Sequence, residues 1–331
     1  MLRRFLWATV AIGALLPLPS HAQIPRLNLT LHAQTTAVNA IAFTPNGDIL
    51  ISGGGHNDGR LRFWRTATGR MLRTIRSQRM GILAIALSPD GEYLASTGED
   101  GEIHFWSLTD GDFKHTLRAH RGNVLDLAIT PDNQVLISAG LDGVKVWDLH
   151  RYRLLYTLTD FQPIAHIALH PNGQILAGGT LDGQVFLWNL RSGEALASLA
   201  AHEMAITALA FTADGETLIT GSGDRTLKLW DLTTNRLQIT LTGHSGPITA
   251  LALTPDGETV ISGSHDGIRA WDLASGNLLT YWQGHQDWIT TLAIFPDGQG
   301  IASGDLSGKI KLWQWPPEFP PALPSEFDEP T

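Results

Sequence analysis

The 331-residue chain contains no cysteine. Without it no disulfide can staple the fold, no thiolate can hold a metal, and no lipid can be attached through an N-terminal cysteine. Stability must then come from burial and hydrogen bonding. The chain also lacks a Gly-x-Ser-x-Gly nucleophile elbow, a phosphate-binding loop, a His-Glu-x-x-His pair and EF-hand spacing. The commonest serine-hydrolase, nucleotide, zinc-peptidase and calcium chemistries therefore have no local signature. An excess of positive charge is missing too, since 23 Lys and Arg stand against 32 Asp and Glu. Nucleic acid and anionic membrane are poor partners for such a surface.

Beyond residue 16 no apolar run is long enough to span a bilayer. At the start, Met1-Leu2-Arg3-Arg4 precedes an apolar run over 5–16, and Ser20-His21-Ala22 places small residues where a signal peptidase cuts. The pattern predicts a cleaved secretory signal over 1–22, a mature domain over 23–315 and an exported, periplasmic or extracellular protein. Loss of Arg3 and Arg4 leaves 21 basic against 32 acidic residues, a net charge of −11, which favours a neutral or basic partner. The segment 316–331 holds six prolines and four acidic residues and reads as a solvated extended tail, with weak Pro-x-x-P spacing at Pro321 and Pro324.

What the sequence does have is a period. Trp64, Trp106, Trp147, Trp188, Trp230, Trp271 and Trp313 follow one another at gaps of 41 or 42 residues. Upstream of each lies a turn of one design: Thr44-Pro45-Asn46-Gly47, Ser88-Pro89-Asp90-Gly91, Thr254-Pro255-Asp256-Gly257 and their counterparts. Proline presets φ, Asp or Asn suits the next position, and Gly accepts the left-handed conformation that reverses the chain. Around these turns each copy carries four short strand-like runs, enough for one blade. The first run, such as Ile248-Thr-Ala-Leu-Ala-Leu253, is apolar almost throughout and should lie innermost. After Trp313 adjacent prolines bar a fourth strand, while Leu27-Asn-Leu-Thr-Leu-His32 resembles the fourth strand of other copies. The expected fold is all-β: seven four-stranded antiparallel blades, the ring closed by the N-terminal strand pairing in the last blade. Closure removes a pair of edges that would otherwise template aggregation.

With Trp147-Asp148, Trp230-Asp231 and Trp271-Asp272 closing their copies, the repeat resembles the WD40 family over nearly the whole domain. The resemblance implies a tetrad inside each blade, made by a His before the first strand, a Ser or Thr on the second, an Asp in the next turn and the Trp. Three copies match: His120, Ser138, Asp142, Trp147; His202, Thr220, Asp224, Trp230; and His244, Ser262, Asp266, Trp271. Four depart. Gln34 and Gln78 stand at the His position, and Asp160 and Gly178 replace His and hydroxyl in the fourth copy. Ser307 stands at the Asp position of the last, and Asp58 lies six residues beyond Ser52 in the first. An indole only donates, a hydroxyl does both, and a carboxylate ends the series as acceptor.

Ser, His and Asp recurring together invite a hydrolase reading, but a set repeated at one spacing and ending on a donor-only indole is structural. No catalytic residue, cofactor or metal is expected; His104, His115, His166 and His170 read as strand or turn residues, and the glycine-rich 53–58 as a longer turn. Binding is left, and the family's usual mode is capture of a protein or peptide on the rim of the central channel by a monomeric scaffold. Candidate rim residues are Arg79, Arg121, Phe161, Glu203 and Trp288 before first strands, with His56, Asn57, Glu99, Leu141, Leu181 and His265 between second and third strands. The alternative is a secreted propeller enzyme with loop residues at the channel mouth, which predicts several carboxylates or histidines gathered there.

Overall fold

The computed structural model describes residues 24–315, all β-strand, turn and loop. The signal-peptide reading over 1–22 and the tail reading over 316–331 fall outside the described residues. Seven four-stranded sheets are formed. In the first, Val38–Phe43, Ile49–Gly54, Arg60–Arg65 and Met71–Arg76 pair in chain order, each antiparallel to the next. The turn between first and second strands closes as its chemistry requires. Gly47 donates its N–H to the Thr44 carbonyl at 2.8 Å with φ +74°, and Asn133, the one replacement, holds φ +58°.

The last sheet joins Ile289–Ile294, Gly300–Asp305 and Lys309–Gln314 to Arg26–His32 from the other end of the chain. Leu31 pairs with Ile310 and His32 with Lys309, so the N-terminal strand supplies the missing fourth place. Closure is equally visible in the packing. The buried side chains divide into seven clusters, each shared by two neighbouring blades. Seven interfaces between seven blades is what a closed ring requires; an open one has six. The seventh brings Leu31, Ile310 and Leu312 of the last blade against Val38, Leu50 and Trp64 of the first.

The antiparallel order sorts the connections onto two faces. Turns after first and third strands share one face, and the Pro-Asx-Gly turns of neighbouring blades meet there: a Cβ on Gly91 would lie 3.5 Å from Pro45. Loops after second and fourth strands form the other face, the rim. First strands surround a central channel of about 250 Å³.

Candidate functional site

Beneath the rim, hydrogen-bonded chains run from the blade core to the loops. In the sixth blade the Trp271 indole donates to Ser262 Oγ at 2.9 Å, and Ser262 Oγ lies 2.7 Å from His244 Nε2. His244 Nδ1 lies 2.6 Å from Asp266 Oδ1. A carboxylate only accepts, so Nδ1 carries the proton and Nε2 takes the hydroxyl proton. The fifth blade repeats this through Trp230, Thr220, His202 and Asp224, at 3.2, 2.6 and 2.8 Å. The third repeats it through Trp147, Ser138, His120 and Asp142.

Burial pushes His244 down to about 4, against the upward pull of Asp266. It lowers His120 and His202 in the same way. Burial acts to raise Asp266, but hydrogen bonds from His244 and the Ser245 N–H outweigh it and hold the carboxyl well below the usual range. Asp142 is likewise drawn down to about 2 against burial, by His120 and the Arg121 N–H. The network therefore stands as neutral imidazole and ionised carboxylate.

These carboxylates also fix the rim. Asp142 accepts the N–H of Arg121 at 3.2 Å and Asp266 that of Ser245 at 2.8 Å. One side chain thus ties the loop before the first strand to the loop after the second, and both loops carry rim residues.

The copies that depart do so in different ways. In the last blade the acceptor is Asp305, two residues after Ser303, and Ser307 only donates to it, at 2.8 Å. With His285 Nδ1 2.6 Å from Asp305, Nε2 2.6 Å from Ser303, and Trp313 donating to Ser303 at 2.8 Å, this blade holds a fourth complete chain. The expectation that Ser307 at the Asp position leaves the last copy without a full tetrad is corrected accordingly. His285 sits eighteen residues before Ser303, the spacing of the other three, and that was the available signal.

In the second blade Ser77, not Gln78, meets the hydroxyl. Ser77 Oγ lies 2.6 Å from Ser96 Oγ and accepts from Trp106 at 2.9 Å, while Gln78 Nε2 donates to the Ser96 carbonyl. In the first, Gln34 Nε2 donates to Ser52 at 2.8 Å and Asp58 still reaches the Thr35 N–H at 3.0 Å despite the insertion. The fourth blade replaces polarity with stacking. A Cβ at Gly178 would stand 2.6 Å from the Trp188 ring, so the indole fills the hydroxyl's place, and Phe186 stacks on it at 5.8 Å.

Sequence reasoning missed a further participant two residues before the tryptophan. Lys145 and Lys228 donate to the carbonyls of Ala119 and Ala201, both at 2.6 Å, and Arg62 and Arg269 bridge to Asp58 and Asp266. Its signal was the basic residue recurring at that register: Arg62, Lys145, Lys228, Arg269 and Lys311.

On the rim, Phe161 is 75% exposed and Trp288 44%. Arg79, Arg121 and Glu203 are exposed as well. The structure joins rim residues across blades: the Arg121 guanidinium lies 5.7 Å from the Phe161 ring centroid, His265 packs on Trp288 at 5.3 Å, and His56 lies 3.0 Å from Glu99. A Cβ at Gly246 would strike the His265 ring, so glycine there makes room for the His265–Trp288 pair. Leu141 and Leu181 are exposed, joined by Met80, Met204 and Leu306.

In the channel, Asp126 and His166 from adjacent blades stand 3.9 Å apart. Asp126 is raised to about 6 by burial, although the N–H groups of Ile167 and Leu127 bind it, and burial pushes His166 down to about 4. Among the described residues no three His, Cys, Asp or Glu gather as a metal site. His104 lies against the Ser77 carbonyl, His115 stacks on Tyr152 at 4.2 Å and His170 lies 3.1 Å from the Gly215 carbonyl.

A closed ring of seven four-stranded blades, with Trp–hydroxyl–His–Asp chains tying rim loops to blade cores, defines a WD40-type β-propeller. The chain belongs to the family described as IFT122 first beta-propeller, whose model matches residues 37–314. It is 35% identical over 195 residues to Periodic tryptophan protein 2 homolog of Mus musculus, covering 57% of this chain and 21% of that protein. It is 35% identical over 69 residues to Pre-rRNA-processing protein IPI3 of Mycosarcoma maydis, covering 21% and 12%. Pre-mRNA-processing factor 19 of Bos taurus is 24% identical over 185 residues, covering 55% and 28%. The chain thus spans less than a third of each of these relatives. Processing of pre-rRNA and pre-mRNA, in the names of two of them, is work done inside the cell, which contradicts the expectation of an exported, periplasmic or extracellular protein. That expectation is withdrawn. A basic start and a dozen apolar residues encode affinity for an apolar environment, not a destination.

Proposed function

We propose that this protein is a non-enzymatic interaction scaffold that holds a protein or peptide on its loop rim. One observation carries the reading. Apart from Ile24, every exposed large apolar side chain among the described residues lies on an outermost strand or on the rim, and none lies on the turn face. Apolar and aromatic anchors are what protein interfaces concentrate. The rim is also pre-ordered by the tetrads, so a partner binds with little ordering cost from the scaffold.

Replacing Trp288 and Arg121 together by Ala is expected to lower retention of partner proteins from a whole-cell extract by roughly tenfold or more. Glu92→Ala on the turn face is expected to leave retention unchanged. If the rim pair retains partners as the parent does while Glu92→Ala loses them, the partner binds the opposite face.

A further inference from the structure

Charge is not spread evenly over the outer walls of the blades. Seven of the 23 Lys and Arg fall within 60–79, and no Asp or Glu stands between Asp58 and Asp90. Six of the seven lie on the third and fourth strands of the first blade and the turn that joins them: Arg60, Arg62, Arg65, Arg70, Arg73 and Arg76. The corresponding hairpins of the second to sixth blades each carry a carboxylate, among them Glu102, Asp148, Glu194, Asp231 and Asp272. An acidic chain thus holds one wholly basic hairpin on its first blade.

The two faces of this hairpin differ. Arg60, Arg62 and Trp64 alternate along one face, and Trp64 packs into the cluster shared with the last blade. Arg60 pairs directly with Arg76 and Arg62 with Thr74, so Arg76 stands on that face as well. Like charges opposed across a ladder are destabilising. One carboxylate answers them: Asp58 lies 3.3 Å from Arg60 and 2.8 Å from Arg62. Asp48, in the first turn of the blade, takes the Asn46 amide instead, at 2.9 Å. Arg65, Arg70 and Arg76 are exposed and form no ion pair among the described residues. The last-blade strand that flanks this face, Arg26–His32, has no acid either, and its Leu31 abuts Gly69 of the hairpin turn. The opposite face is mixed. Arg73 lies over the Phe63 ring at 5.8 Å, Leu72 and Ile75 are half-buried, and Asp110 and Asp112 of the second blade flank Gly111, against which Arg73 packs.

Met71–Arg76 is the last strand of its sheet, so its outer side offers unpaired N–H and C=O groups. Every blade ends in such an edge; the first adds guanidiniums along one side of it. A strand added there would set its residues on one face against Arg60 and Arg76, and those on the other against Leu72 and Ile75. Nucleic acid fits this edge less well. It has no backbone ladder to offer, and the hairpin presents no exposed ring for base stacking, Phe63 and Trp64 being buried. We infer that the outer edge of the first blade is a second docking surface, distinct from the rim, which takes an extended partner segment alternating acidic and apolar residues as a fifth strand.

The probe is a short labelled peptide alternating Glu and Val, titrated into the full chain at physiological ionic strength. The parent is expected to bind it, and to bind the Lys-Val counterpart roughly tenfold or more weakly. The Arg70→Glu, Arg76→Glu double variant should lose roughly tenfold or more in affinity for the acidic probe. Its melting temperature should hold or rise, because Arg60 no longer faces a like charge. N-methylation of the probe at alternate residues, which blocks the ladder, should abolish binding. The rim pair Trp288→Ala, Arg121→Ala should bind the probe as the parent does. If charge reversal leaves the affinity unchanged, or the methylated peptide binds as well as the unmethylated one, the edge is not the docking surface. Tighter binding of a single-stranded oligouridylate, lost in the same charge-reversed variant, would make the wall a nucleic-acid surface and the acidic strand wrong. Each of these failures leaves the rim reading standing.

Discussion

Deleting residues 26–32 is expected to lower stability by about 4 kcal/mol or more and to make the protein self-associate. The deletion removes the strand paired along Lys309–Gln314, and it takes Leu31, 5% exposed, out of the cluster that joins the last blade to the first. Loss of one buried leucine side chain alone costs about 2 to 5 kcal/mol. The unpaired third strand then presents a bare edge to other chains. Urea unfolding and size-exclusion chromatography read both effects. An unchanged midpoint with a monomeric elution profile would show that the ring does not depend on this closure.

Asp266→Ala is expected to cost about 1 to 3 kcal/mol, because His244 and the Ser245 N–H lose their acceptor in a buried network. Glu258→Ala, exposed on the turn face, should stay within roughly 0.5 kcal/mol. Equal losses in urea melts would mean that the network does not hold the blade. The parent should also lose stability as pH falls from 6.5 toward 4. In that window the unfolded chain binds protons at histidines of ordinary value 6.5, while the folded imidazoles stay neutral, His244 and His166 down to about 4. Asp126 opposes them, since a carboxyl raised to about 6 is destabilising when ionised and relieved on protonation. Four lowered histidines, with His120 and His202, outweigh that one group. Below 3.8 the depressed carboxyls Asp142, Asp224, Asp266 and Asp305 add a second loss in the same direction. A midpoint that stayed flat from pH 7 to 4.5 would contradict the neutral imidazoles buried in the tetrads.

The fold was legible because its determinants are local and repeated. A Pro-Asx-Gly turn specifies a hairpin wherever it falls, and seven tryptophans at one period count the blades. Three tetrads were legible for the same reason, since eighteen and four residues separate their members. The fourth was missed because its carboxylate sits two residues past the hydroxyl, on the end of the strand, where side-chain reach and not spacing decides the contact. Gly178 was seen as a lost hydroxyl but not as the space that the Trp188 ring fills, a matter of volume. Asp126 and His166 lie 40 residues apart and become neighbours only when adjacent blades close around the channel. Likewise Phe161 could be placed on the rim from register. Its positive φ and its contact with Arg121 depend on how the loop to Ile164 folds back.

A partner seated on the loop rim of a closed, preformed ring should protect that rim from solvent. Hydrogen–deuterium exchange on the full chain, with and without a partner protein retained from the whole-cell extract, reads that protection. Exchange is expected to slow in the loops at 79–81, 120–123, 140–143, 160–164 and 180–183, with the turns at 44–47, 88–91 and 130–133 unchanged. Slowed exchange in those turns with none in the loops would place the partner on the other face and contradict it.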